Sequence, residues 1–287
     1  MYCEQRKDVR QKNRFIWFKK WVLERQTLKV LSRDSGYSQR TLQSLFYECL
    51  AQAPVLKIQN NRVLHMRMDG TYFKQFCLIS YQDHHSNYTQ LIRFSDEERY
   101  EEIKEDLQNL LRLGLKIESI TVDGQKGTLR AIREVLIETK IQRCLVHIQR
   151  QSLIWLTNRP KHESAKELRK IVLLISKIST HNDKIAWLRQ FKRWEIVHKS
   201  YYQQKSYNSE TDRYWYTHKL LRRTFIYIKS AIPNMFHFLE DAAIPKTTNG
   251  IEGFFSHLKN HLDVHRGLTT EHRKNFIKWY IYFSNEK

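Results

Sequence analysis

Two aspartates in this chain each follow an apolar run and precede a glycine: Leu64-His-Met-Arg-Met-Asp69-Gly70 and Ile120-Thr-Val-Asp123-Gly124. A third acid, Glu252, lies far downstream in Thr247-Thr-Asn249-Gly-Ile-Glu252-Gly-Phe-Phe. Carboxylate oxygens are the ligands hard divalent cations prefer, and two acids at strand ends with one on a helix can hold a pair of Mg²⁺ (or Mn²⁺) ions. Such a pair serves phosphoryl transfer, activating the attacking oxygen and stabilising the leaving one. Asp-Gly is also a common turn signal, so either aspartate alone reads as structural. The two together with Glu252 point to a site.

The acids sit in a basic chain. Its 287 residues carry 50 Lys and Arg against 30 Asp and Glu, a formal net charge of +20. That excess suits a polyanion, and with an acidic metal site it indicates nucleic acid as substrate. A membrane surface would attract the same charge, but the basic residues are dispersed and form no long amphipathic helix. Four widely spaced cysteines (Cys3, Cys49, Cys77, Cys144) make neither a disulfide framework nor a thiolate zinc site. The start of the chain has no signal-peptide core, and no apolar run is long enough to span a bilayer. A soluble, cytoplasmic protein is expected, and the 41% apolar content predicts a folded globule.

Residues Phe15 to Leu50 read as helices. Between Gln26 and Phe46 the cadence is that of a helix-turn-helix. Leu28 and Leu31 form one apolar face, Gly36 permits the turn, and Ser38 caps a second helix that points Leu42, Leu45 and Phe46 inward. Gln39, Arg40, Gln43 and Ser44 then face outward, with side chains suited to base edges and phosphates in a major groove. An ordinary helical hairpin packed on a neighbour would look similar. Three strands are expected at Val63–Met68, Phe73–Tyr81 and Tyr88–Phe94, with Asp83-His84-His85 as a hairpin turn. A helix over Asp96–Leu113 capped by Ser95, a strand at Lys116–Val122, a helix over Thr128–Ile137 and a strand at Ile141–Val146 follow. This βββαβαβ order, with acids closing the first and fourth strands, predicts an α/β, ribonuclease-H-like mixed sheet core. From Ser152 to Pro245 the strand signal vanishes and the pattern is helical, with Asn208–Asp212 as a loop. The expected organisation is a helix-turn-helix region (1–55), the first part of the catalytic core (62–150), a helical insertion (151–245) and final core helices carrying Glu252 (246–287).

Asp123-Gly124, Gly127, Ala131 and Gln142-Arg-Cys144-Leu-Val-His147 together resemble the signature of the Mutator-like superfamily of DDE transposases, in its bacterial insertion-sequence branch. Asp69-Gly70-Thr71 looks like that family's first catalytic aspartate. Thr248-Asn249-Gly-Ile-Glu252 through Lys259, with His265-Arg266-Gly267-Leu, looks like its glutamate helix. The resemblance spans roughly residues 62 to 275 and rests on the order and spacing of these pieces. It implies a metal-dependent transposase in which Asp69, Asp123 and Glu252 bind two Mg²⁺ or Mn²⁺ ions. Such an enzyme cleaves element ends and joins them to target DNA. The resemblance further implies that double-stranded DNA is the partner, that a dimer or higher oligomer assembles on it near the nucleoid, and that Asn249, Lys259, His265 and Arg266 contact it. A cysteine-rich zinc element often precedes the helix-turn-helix in this branch; only Cys3 stands near the start, so a shortened amino terminus is expected. A ribonuclease-H-like nuclease that cuts without joining, and a transposase-derived DNA-binding protein without catalysis, are the alternatives.

Cys144 and His147 lack a second ligand pair for zinc and are expected to support the acidic cluster. His257, His261 and His265 recur every fourth residue; DNA contact is the expectation, metal ligation the lesser one. Trp155, Trp187, Trp194 and Trp215 are expected mostly in the core, with one available to stack on an unpaired base.

Overall fold

The computed structural model describes residues 14–286. Cys3 and the chain start lie outside the described residues. Eleven α-helices, α1 to α11, and seven strands alternate in an α/β arrangement among the described residues. None of the helices is long and apolar enough to cross a membrane.

Five strands make one mixed sheet: β1 (Val63–Tyr72), β2 (Cys77–Asp83), β3 (Thr89–Ser95), β4 (Lys116–Val122) and β5 (Lys140–Arg143), in the order β3-β2-β1-β4-β5. β2 and β3 pair antiparallel, whereas β1, β4 and β5 run parallel. The parallel steps need crossovers, supplied by α4 (Tyr100–Arg112) and α5 (Lys126–Val135), which pack on each other. α4 starts at Tyr100, later than its acidic pattern suggested. Ser95 instead ends β3, its hydroxyl accepting from the Glu97 N–H.

Asp69 does not close its strand. β1 continues to Tyr72, and the turn falls at Phe73–Phe76, where the Phe73 N–H donates to the Phe76 carbonyl at 2.8 Å. β1 thus runs past Asp69, while the parallel β1–β4 register extends from Val63 to Arg67. Strand β5 is also shorter than expected: it stops at Arg143, Cys144 caps α6 (Leu145–Leu156), and His147 falls in that helix's first turn.

The chain divides into two compact units. One comprises the described residues up to Arg62, Asp69–Glu98, and the stretch from Gly250 onward; the other comprises Val63–Met68 and Arg99–Asn249. In the first, α1 (14–23), α2 (Leu28–Ser35) and α3 (Gln39–Ala51) share one core with α10 (Asn249–Val264) and α11 (Thr270–Asn285). Phe18, Trp21, Leu31, Leu42 and Phe46 meet Phe255, Leu258, Phe276 and Ile281 there. Trp21 stacks on Phe46 at 4.8 Å, and Asn275 and Trp279 of α11 donate to the Leu50 and Cys49 carbonyls. Gly36 adopts the left-handed conformation (φ 72°) and the Ser38 hydroxyl accepts from the Thr41 N–H, so both turn signals act as their chemistry dictates.

In the second unit, α6, α7 (Glu163–Leu173), α8 (His181–Tyr202) and α9 (Lys219–Ala231) enclose a separate core. Trp187 and Trp194 are buried there, their indole N–H groups donating to the Ile171 and Ser164 carbonyls. The region is not wholly helical. β6 (Lys205–Asn208) and β7 (Arg213–Tyr216) form a hairpin whose turn is the loop read at 208–212. Four-residue strands give too short a period-2 pattern to stand out from helical surroundings.

Candidate catalytic site

Asp69 lies on β1 and Glu252 in the first turn of α10, both within the first unit. Their ligand-capable carboxylate oxygens lie within 4.8 Å of one another, and both side chains are half-buried. Two partly desolvated carboxylates this close repel unless a cation lies between them, so the pair fits a hard divalent ion. A Cβ on Gly70 would fall 2.3 Å from Glu98 Oε1, so the missing side chain leaves room for that carboxylate.

Asp123 follows directly on β4 in the second unit. Its Oδ1 accepts from the Gln125 N–H at 2.9 Å, holding the turn into α5. Gly124 has φ of +96°, a conformation costly for any residue with a Cβ. Arg143 at the end of β5 donates from Nε to the Asp123 carbonyl at 3.2 Å. Its guanidinium also lies 5.4 Å from the centroid of the Tyr227 ring on α9.

Cys144 and His147 hold Thr248 within the second unit. The Thr248 N–H donates to Cys144 Sγ at 3.3 Å, and the Thr248 hydroxyl lies 3.3 Å from His147 Nδ1. Burial acts to raise the Cys144 thiol, but the hydrogen bond and charge of His147, with Thr248, outweigh it and leave the thiol below its ordinary value. The segment leading to Thr248 is tied to the sheet as well. Thr121 donates to the Pro245 carbonyl, Gln142 to the Met235 carbonyl, and the Leu145 N–H to the Lys246 carbonyl. After a long helical excursion the chain is thus returned to the ends of β4 and β5.

Gln39, Arg40, Gln43 and Ser44 are all exposed along one side of α3. Asn249 and Arg266 are exposed, and Lys259 is half-buried with its ammonium 5.4 Å from the Phe73 ring. His265 does not face outward. It is buried against Trp21 with ring centroids 4.4 Å apart, and its Nε2 donates to the Trp21 carbonyl at 3.1 Å. His261 is likewise in the core, its ring nitrogens 2.7 and 2.8 Å from the His257 and Leu23 carbonyls. The spacing of His261 and His265 therefore reflects packing on α1, while His257 is exposed. Arg143 and Thr248 lay inside recognised motifs without an assigned role; Tyr227 and Glu98 carried no sequence signal.

The family described as "Transposase, Mutator family" matches residues 35–206. No curated protein matches the chain. Among solved structures, the catalytic core domain of the HTLV-2 integrase in complex with magnesium is 19% identical, over 40% of this chain and 84% of that one, at a TM-score of 0.24. A simian T-cell lymphotropic virus intasome in complex with a PP2A regulatory subunit is 14% identical, over 54% of this chain and 66% of that one, at a TM-score of 0.23. The chain thus spans just under two thirds of the latter. Superposition is slight in both cases.

Proposed function

The chain belongs to the Mutator family of transposases, and from that premise we propose that it cleaves the ends of a DNA element and joins them to target DNA, with Asp69, Asp123 and Glu252 as its metal-binding acids. The observation that carries this reading is the approach of Asp69 and Glu252, remote in sequence, to within 4.8 Å. Strand register supports the third member. Arg67 pairs with Thr121 in the parallel β1–β4 ladder, and each aspartate lies two residues beyond its member of that pair. Parallel neighbours carry such positions to the same end of a sheet. The strand order is that of a ribonuclease-H-like core.

Bound there, Mg²⁺ or Mn²⁺, as two ions, would supply Lewis-acid stabilisation of the charge that develops in phosphodiester displacement. The chain's own part is to fix the three carboxylates. Asp69 is held by its strand, Asp123 by its turn, and Glu252 by the first turn of α10. The net charge of +20 draws in double-stranded DNA by releasing its counterions. Helices α2 and α3 serve as a helix-turn-helix, with Gln39, Arg40, Gln43 and Ser44 toward the bases, and Asn249, Lys259 and Arg266 add phosphate contacts. Assembly as a dimer or larger oligomer on DNA belongs to the same reading.

The test is cleavage and strand transfer on DNA carrying the element's ends. Wild type cleaves and joins with Mg²⁺, while Asp123→Asn and Glu252→Gln bind the ends but do neither. Cleavage without joining of a pre-cut end would make the protein a nuclease. DNA binding with no cleavage by wild type under any divalent cation would make it a binding protein.

A further inference from the structure

Arg143 is buried to 3% exposure. Its Nε donates to the Asp123 carbonyl, and among the described residues its Nη2 is buried with no hydrogen-bond partner. Among the described residues no carboxylate forms an ion pair with it. A guanidinium remains charged at any pH a protein meets, so burying one without a counter-ion costs stability. A methionine or glutamine would fill the volume without that cost. Stability therefore does not explain why an arginine stands here.

Its surroundings are shaped to hold it. A Cβ on Gly124 would lie 1.8 Å from the Arg143 Cζ and 2.2 Å from Nη2, so the guanidinium occupies the notch that this glycine leaves open. The Tyr227 ring on α9 lies 5.4 Å away on the cation. The phenol's pKa is raised, chiefly by burial. Arg143 donates to the backbone of Asp123, while the carboxylate takes the Gln125 N–H. The guanidinium thus holds the turn through its backbone.

We propose that Arg143, seated in the Gly124 notch on Tyr227, is a positioning residue that aims the Asp123 carboxylate for metal binding, which makes the helical insertion a structural member of the site through α9. This rests on Asp123 being a metal ligand. It predicts that loss of Arg143 weakens cation affinity rather than DNA affinity, by about 10- to 100-fold, the usual effect of removing a group that orients a ligand.

The experiment is Mn²⁺ titration of the full-length protein bound to an element end, read by the electron paramagnetic resonance signal of free Mn²⁺, alongside the Kd for DNA. Arg143→Gln should raise the Mn²⁺ Kd at least tenfold and leave the DNA Kd within about twofold. Arg143→Lys should recover part of the loss. Tyr227→Leu, which keeps the arginine but removes its platform, should shift Mn²⁺ affinity in the same direction and decides the matter if Arg143→Gln does not fold. Wild-type Mn²⁺ affinity in folded Arg143→Gln, or in Tyr227→Leu if Arg143→Gln does not fold, while Asp123→Asn loses it, would overturn the proposal. Wild-type Mn²⁺ affinity in Asp123→Asn itself would instead remove the underlying assignment of that acid.

Discussion

Gly70 and Gly124 follow Asp69 and Asp123 and make room for opposite charges. Gly70 continues a strand and clears space for the Glu98 carboxylate, the mobile end of a half-buried side chain. Gly124 turns the chain with a positive φ and clears space for the guanidinium of the buried Arg143. The same contrast runs through the two units that carry them. The first is gathered from three distant stretches, and the closeness of Asp69 and Glu252 depends on a core shared by α1–α3 and α10–α11. The second is built mostly from one continuous stretch, and Asp123 is held by near neighbours along the chain and by Arg143. One acid pair is thus as secure as a long-range core; the other acid is as secure as a turn.

The sharpest way to break this contrast is to open the first core. Phe46→Ala removes a ring stacked on Trp21 and should cost about 3–5 kcal/mol. Hydrogen exchange should show α10 amides losing protection, while those of α8 in the second unit keep theirs. Equal loss in both would mean that the units unfold as one.

Acid should act on the first core as well. Burial pushes the His265 imidazole down to about 4 from an ordinary 6.5. Between those values the unfolded chain takes up a proton that the folded chain refuses. Stability is therefore fully present above about pH 6.5 and falls as pH drops toward 4, by on the order of 3 kcal/mol. Urea midpoints measured across that range should slope for wild type and flatten in His265→Gln.

The glycines themselves give the next effect. Gly124→Ala places a Cβ in a left-handed conformation at about 1–2 kcal/mol and displaces a buried cation besides. Gly70→Ala asks only that Glu98 swing aside, and should change stability by less than about 1 kcal/mol, since glycine is itself unfavourable inside a strand. Chemical denaturation of both variants checks the order, and comparable losses would end the distinction drawn here.

The smallest effect is on recognition. Arg40→Ala and Gln43→Ala alter exposed side chains on α3 and should leave the core intact. Each should cost about 1 kcal/mol, the lower end of the ~1–3 kcal/mol of a base-edge contact, on element ends but not on random DNA. Competition binding separates the two; equal losses on both would reduce α3 to phosphate contact.

Local chemistry was legible along the chain because local rules govern it. Gly36 and Ser38 turn and cap where their types demand, β4 runs over Lys116–Val122 as its pattern requires, and the order βββαβαβ follows from alternating periodicities. The three acids can be proposed as a set from sequence because metal chemistry restricts the residue types available. What only the tertiary structure decided is where long-range partners meet. β1 runs on past Asp69 to Tyr72, with β2 as its neighbour in the sheet. His265 is a core residue because Trp21, far away in sequence, covers it. Arg143 needs both the missing Cβ of Gly124 and a ring from α9, a coincidence of three chain segments that no window of sequence contains. Periodicity reports which face of an element is buried, and packing alone determines against what.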